Sequence, residues 1–183
     1  MKTIDDVIIE DEFNEPDWLE PNFDNIPDEL KAQPWGVWKA EPRLDKDGKH
    51  TGKWNKAPRN PLTGRKEGAN QPKKFGTLAE AMKAYKEKNY SGVGVLLTGN
   101  GITGIDIDDA AEVFEKRPEV EEWVKKAFKD GAHCEISPSR SGIRLFVAGS
   151  LEGGGRKKDS LEVYDDGRFL TVTGHTIGSK EGK

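Results

Sequence analysis

Residues 101–110, GITGIDIDDA, set Ile105 and Ile107 in alternation with Asp106 and Asp108. Side chains of a β-strand point to opposite faces with period two, so the isoleucines can enter a core while both carboxylates emerge together. Two carboxylates that close repel each other unless a cation or a bound proton compensates. Hard divalent cations such as Mg²⁺ take oxygen ligands and are commonly held by one or two carboxylates plus substrate phosphates. A polar strand face yields the same alternation without any metal, so the pair alone is a weak signal. A third acid strengthens it. In SLEVYDDGRFL (160–170), Glu162 stands between Leu161 and Val163 in strand-like alternation, whereas Asp165 and Asp166 read as turn residues before Gly167. If that strand lies beside the aspartates, three carboxylates converge. Such a cluster stays charged around divalent metal, the device used for in-line phosphoryl displacement.

The surroundings of this stretch read as alternating elements. GVGVLLTGNGITGIDIDD (92–109) gives two strands, expected to form a hairpin through Asn100-Gly101. Upstream, Thr77 and Glu80 make a capping box for a helix that places Leu78, Ala81, Met82 and Tyr85 on one face. Downstream, a second helix over about 109–129 is interrupted or restarted at Pro118. HCEIS, IRLFVAG, SLEVYD and RFLTVTG follow as strands, with glycine-rich EGGGRKKD as a separator. Trp35, Val37 and Ala40 mark a first strand. Asp47-Gly48 signals a hairpin, and Thr63-Gly64 a weaker turn. The order of elements predicts an α+β domain, a mostly antiparallel sheet packed with helices.

Charge is distributed unevenly. The 183 residues carry a net charge of −4, yet residues 1–30 hold 11 acids and one lysine, about −10, which leaves the rest at about +6. Residues 1–25 read as an acidic, mobile leader, first of all a solvated one, with a peptide-like docking segment through Trp18, Leu19 and Phe23 as the lesser alternative. Residues 39–74 hold 11 Lys/Arg against four acids. Lys53, Lys56 and Arg59, interleaved with Trp54, are what a nucleic-acid backbone site requires, though a solvated loop has the same composition. In EISPSRSGIRLFV (135–147), Ser139 and Ser141 with Arg140 and Arg144 can cradle phosphate, and Arg168 can clamp a triphosphate; a polar hairpin loop and a routine strand account for them equally well. One cysteine, Cys134, excludes an internal disulfide and, with three histidines, argues against structural zinc. Hydrophobic content is 33% and no apolar run approaches the roughly 18–20 residues that cross a bilayer, so no membrane partner is expected.

Taken in order, PWGVW, GKWNKAPRNPLTG, GVGVLLTGNGITGIDIDD, CEISPSRSGIRLFVAG and LEVYDDGRFLTVTG resemble the primase-polymerase (prim-pol) domain of phage and plasmid replication proteins, in the archaeo-eukaryotic primase superfamily. The resemblance covers residues 26–178, the expected catalytic domain, leaving 179–183 as a terminal piece that truncation would explain. It implies an RRM-like core and a nucleotidyltransferase using Mg²⁺ or Mn²⁺ on Asp106, Asp108 and Glu162. It also implies a single-stranded DNA template, nucleoside triphosphates, a replicative helicase as a further partner, and the cytoplasm of a bacterial or archaeal host cell. The family's phosphate-contacting motif of small residue, any residue and His falls on Gly142-Ile143-Arg144. Arginine there keeps its positive charge and can still bind phosphate, but cannot move a proton near neutrality. Two other classes fit the same residues: a non-catalytic nucleic-acid or nucleotide-binding accessory module, and a metal-dependent nuclease.

Overall fold

Valine and glycine alternate in GVGVLLT, and the strand they form shows why. Val93 and Val95 enter the core, while Gly92 and Gly94 leave bare backbone on the other face. A Cβ at Gly92 would stand 2.8 Å from the Trp38 ring, and one at Gly94 2.4 Å from Phe169. Aromatic rings thus pack where side chains are missing.

The computed structural model describes residues 14–177. In chain order the strands are β1 (Trp35–Trp38), β2 (Glu41–Leu44), β3 (His50–Asn55), β4 (Pro58–Arg59), β5 (Gly92–Thr98), β6 (Ile102–Ile107), β7 (His133–Ile136), β8 (Ile143–Ala148), β9 (Arg156–Lys158), β10 (Leu161–Tyr164) and β11 (Asp166–Val172). The helices are α1 (Asp28–Lys31), α2 (Leu78–Glu87), α3 (Ala110–Lys116) and α4 (Pro118–Lys129). The α+β reading holds, and every strand pairing among the described residues is antiparallel. The strands divide, however, into a four-stranded sheet ordered β11-β5-β1-β4, a five-stranded sheet ordered β7-β8-β6-β10-β9, and a β2–β3 ribbon.

That division corrects the expected hairpin. β5 and β6 do not pair: β5 takes β1 and β11 as neighbours, and β6 takes β8 and β10. The chain crosses between sheets through Gly99 (φ 71°) and Gly101 (φ 91°), left-handed backbone that glycine adopts without a steric penalty. A two-residue turn between apolar runs is a local signal, and here longer-range partners on both flanks outcompete it. Elsewhere local chemistry decides. The Thr77–Glu80 capping box is formed, Pro118 opens α4, Asp47-Gly48 turns β2 into β3, and Thr63-Gly64 lies in a turn closed by Gly64 N donating to Asn60 O at 2.8 Å.

Two apolar clusters frame the molecule. The first joins α1, α2 and the four-stranded sheet through Leu30, Trp35, Ala81, Val95 and Leu170, and includes Ile102 and Phe146 of the second sheet. The second lies under α3 and α4, with Ile105, Ile107, Val120, Val124, Cys134 and Leu145. Residues 14–25 are packed on the domain rather than detached from it. Leu19 N donates to Pro138 O (3.0 Å), Asn22 N donates to Thr173 O (2.7 Å), and Phe23 meets Tyr85 with ring centres 6.1 Å apart. The remainder of the acidic leader, residues 1–13, and the terminal residues 179–183 lie outside the described residues. Among the described residues no helix is long and apolar enough to cross a membrane.

Candidate active site

β6 has two faces with different uses. Ile105 and Ile107 enter the cluster beneath the helices. On the other face Ile102 joins the first core, and Asp106 and Asp108 follow toward a cleft of about 980 Å³. Strand register then places the remaining acid. Glu162 of β10 lies directly opposite Asp106, and Arg144 of β8 lies opposite Asp106 on its other side. The row continues outward to Glu135 of β7, opposite Arg144, and to Lys157 of β9, opposite Glu162. Five ionisable side chains from five strands, Glu135, Arg144, Asp106, Glu162 and Lys157, therefore stand side by side on one face.

The charges in this row compensate one another. Arg144, 4% exposed, donates from Nη2 to Asp106 Oδ2 at 3.3 Å, and its Nε stands 3.2 Å from Oδ1. That second approach is off the hydrogen-bonding direction, so Asp106 Oδ1 is buried without accepting a hydrogen bond, and Arg144 Nη1 is likewise unpartnered. Glu162, 5% exposed, is held by Lys157 and by Arg168 Nη2, the latter at 2.5 Å. Burial alone would raise the Glu162 carboxyl, but the Lys157 hydrogen bond and the Arg168 charge outweigh it and hold it below the ordinary glutamate value. Asp108 moves the other way. Desolvation in the cleft and the neighbouring Asp106 push it up, with Arg144 and Lys56 offsetting only part. Lys56, also in the cleft, is lowered to about 8, first by burial and then by Arg144.

Oxygen donors of this kind suit a hard divalent cation, and the unpartnered Asp106 Oδ1 is a lone pair available to one. Among the described residues, no group of three or more His, Cys, Asp or Glu side chains stands placed to hold a metal ion. The physical reason lies in the ion pairs: protein cations occupy Asp106 and Glu162, and a metal would displace Lys157 or Arg168 from the latter. In donor type and shared face Asp106, Asp108 and Glu162 suit a divalent cation, and their side chains would have to close on it from their ion pairs.

The other expected residues divide. Ser139 and Ser141 line the cleft, their hydroxyls 3.1 Å apart, and Ser137 Oγ, 3.2 Å from Ser139 Oγ, accepts from Gly142 N. Arg168 lines it too, stacked 4.5 Å from the centre of Tyr164. Lys53 is exposed on its wall. Lys56 lies in the same cleft, close enough to Asp106 and Asp108 to feel their charge. Arg59 is turned to structural work: Nη2 pairs with Glu41 at 2.7 Å, and Nη1 donates to Gly64 O at 2.9 Å. Two members of the charged row were not anticipated. Lys157 was hidden in a segment read as a glycine-rich separator, although Arg156–Lys158 pairs with β10. Glu135, 0% exposed, accepts from Thr173 N and Gly174 N, both at 2.9 Å, and meets His133 Nε2 at 3.0 Å. The alternation His133, Cys134, Glu135, Ile136 carried that signal.

No family model matches the chain. A curated relative, a DNA primase-polymerase of Nitratiruptor phage NrS-1, is 29% identical over 156 residues, which cover 80% of this chain and 20% of the relative. The chain thus spans about one fifth of the length of that protein. Together with the ordered motifs and the acid row, this likeness supports a prim-pol domain in this chain.

Proposed function

We propose that residues 26–178 form a DNA primase-polymerase domain that joins nucleoside triphosphates on a single-stranded DNA template. The reading rests above all on one observation, Glu162 standing directly across from Asp106 on a cleft-facing row that also carries Arg144 and Lys157. The likeness to a phage DNA primase-polymerase supports the same conclusion. Mg²⁺ or Mn²⁺ on Asp106, Asp108 and Glu162 would activate a 3′-hydroxyl and neutralise charge on the triphosphate. The chain's own side chains do the rest. Arg144, buried beside Asp106, orients it. Arg168 sits at the cleft surface, where it can exchange Glu162 for a phosphate oxygen. Ser139 and Ser141 offer hydroxyls at the same mouth, and Lys53, exposed on the cleft wall, would contact the template backbone.

Asp106→Asn tests the reading, because it removes the charge while leaving an oxygen for Arg144. Primer extension with Mn²⁺ should fall by more than the roughly 10–100-fold that loss of an outer-sphere partner costs. Retention of full activity ends the assignment. The ion pairs on Asp106 and Glu162 favour a second reading, a nucleotide-binding module without chemistry. Nucleotide binding without product in the same assay selects that reading, and shortening of the template selects a nuclease.

A further inference from the structure

Four cations stand around the carboxylates: Arg144, Lys157, Arg168 and Lys56. The first three pair with Asp106 or Glu162. Among the described residues Lys56 makes no ion pair. Its ammonium lies instead over two indole rings, 5.0 Å from the centre of Trp18 and 5.9 Å from that of Trp38. Trp18 comes from the leader, some forty positions earlier in the chain, and it is held firmly. Its ring meets Trp38 edge-on at 5.3 Å and Trp54 at 6.4 Å, and its Nε1 donates to Glu15 at 2.6 Å. On either side of Trp18 the chain is fastened to the loop between β7 and β8 and to the segment that follows β11. Asp17 pairs with Arg140 at 3.1 Å, Leu19 N donates to Pro138 O, and Glu20 O meets His175 Nε2 at 2.7 Å. The leader therefore straps the serine loop to the loop that bears Lys56.

We propose that Lys56 grips the phosphates of the incoming nucleotide, and that Trp18 is the positioning residue that aims it there, so that the leader is part of the active site. This rests on the polymerase reading above for its substrate. The physical case is one of incomplete compensation. An ammonium over aromatic faces gains from the ring quadrupoles, yet it has given up water for no direct ion pair, with Asp106 and Asp108 compensating only in part. Burial holds its pKa near 8, in agreement with a cation lacking a full partner. A polyphosphate entering beside Asp106 and Asp108 supplies the missing negative charge. Arg144 already pairs with Asp106 and keeps Nη1 as a further donor, so it complements Lys56 at the phosphates rather than replacing it.

The test separates this inference from the polymerase reading by using two probes. Binding of Mg²⁺-tripolyphosphate is measured by calorimetry for wild type, Lys56→Gln, Trp18→Ala and Trp18→Phe, with thermal melts to verify folding. Primer extension then gives KM for nucleotide, and anisotropy gives Kd for a single-stranded oligonucleotide alone. Loss of a charge-assisted contact should weaken tripolyphosphate binding about tenfold or more in Lys56→Gln and Trp18→Ala. KM for nucleotide should rise in parallel, the oligonucleotide Kd should hold within about twofold, and Trp18→Phe should recover most of the loss. Tripolyphosphate binding that is unchanged in folded Lys56→Gln or Trp18→Ala, or absent in wild type, overturns the proposal. So does a Trp18→Phe variant no better than Trp18→Ala. Wild-type protein that binds tripolyphosphate through Lys56 but extends no primer would sink the polymerase reading and leave this one standing.

Discussion

At the scale of single residues, β7, β8, β6 and β10 of the second sheet carry their charged side chains on one face and mostly apolar ones on the other. Arg144 and Asp106 form a pair in which neither can be removed cheaply, since either would leave a buried charge alone. Cys134, on the opposite face, is 1% exposed and sits among Ile105, Leu145 and the helices. Burial pushes its thiol from 9.0 up to about 11. A raised folded-state value means that the native protein holds the proton more tightly than the unfolded chain. The stability that this contributes is fully present below about 9 and is lost as pH rises through about 11. The native protein at pH 8 should therefore react with thiol reagents far more slowly than the urea-unfolded chain. Equal rates would show that the cluster under the helices opens readily.

At the scale of elements, β6 decides the architecture because its two halves face different surroundings on one side. Gly104 lies where the two sheets approach, between the core-facing Ile102 and the cleft-facing Asp106. A Cβ there would stand 2.3 Å from Leu170 Cδ1 and 2.9 Å from Leu97 Cδ1. Gly104→Ala should push the four-stranded sheet away and cost about 1–3 kcal/mol in urea unfolding, the usual range for overpacking a core. A variant as stable as wild type would show that the leucines repack freely. The serine loop between β7 and β8 is ordered by local bonds: Ser137 Oγ accepts from Gly142 N, and Arg140 takes a left-handed conformation (φ 69°). Those bonds set the position of Ser139 and Ser141 at the cleft mouth.

At the scale of the whole molecule, the sign of charge is sorted by region. The stretch 39–74, where basic residues outnumber acids, supplies Arg43, Lys53 and Lys66 to the cleft wall. If that wall follows a single strand, each phosphate contact contributes about −0.7 to the slope of log K against log salt. Lys53→Ala should make the slope shallower by about that amount. Arg59→Ala should leave the slope unchanged and lower stability instead, because its guanidinium is occupied by Glu41 and Gly64. Filter binding across a salt series, with melting curves, separates the two; equal slope changes would return Arg59 to the nucleic-acid surface.

Local chemistry alone determined a good part of this protein. Strand period two placed both aspartates on the face opposite the isoleucines, the Thr77–Glu80 box began α2, Pro118 restarted the helix, and Asp47-Gly48 closed its hairpin, since each depends on neighbours within a few residues. Tertiary structure decided what depends on partners far along the chain. It sent β5 and β6 to different sheets, turned Arg59 inward to Glu41, and brought Lys157 and Glu135 into line with Asp106. It also folded Trp18 back over Lys56. Register between distant strands and the packing of a leader on a finished surface are set by contacts that form only when the whole chain has collapsed, and no window of sequence contains them.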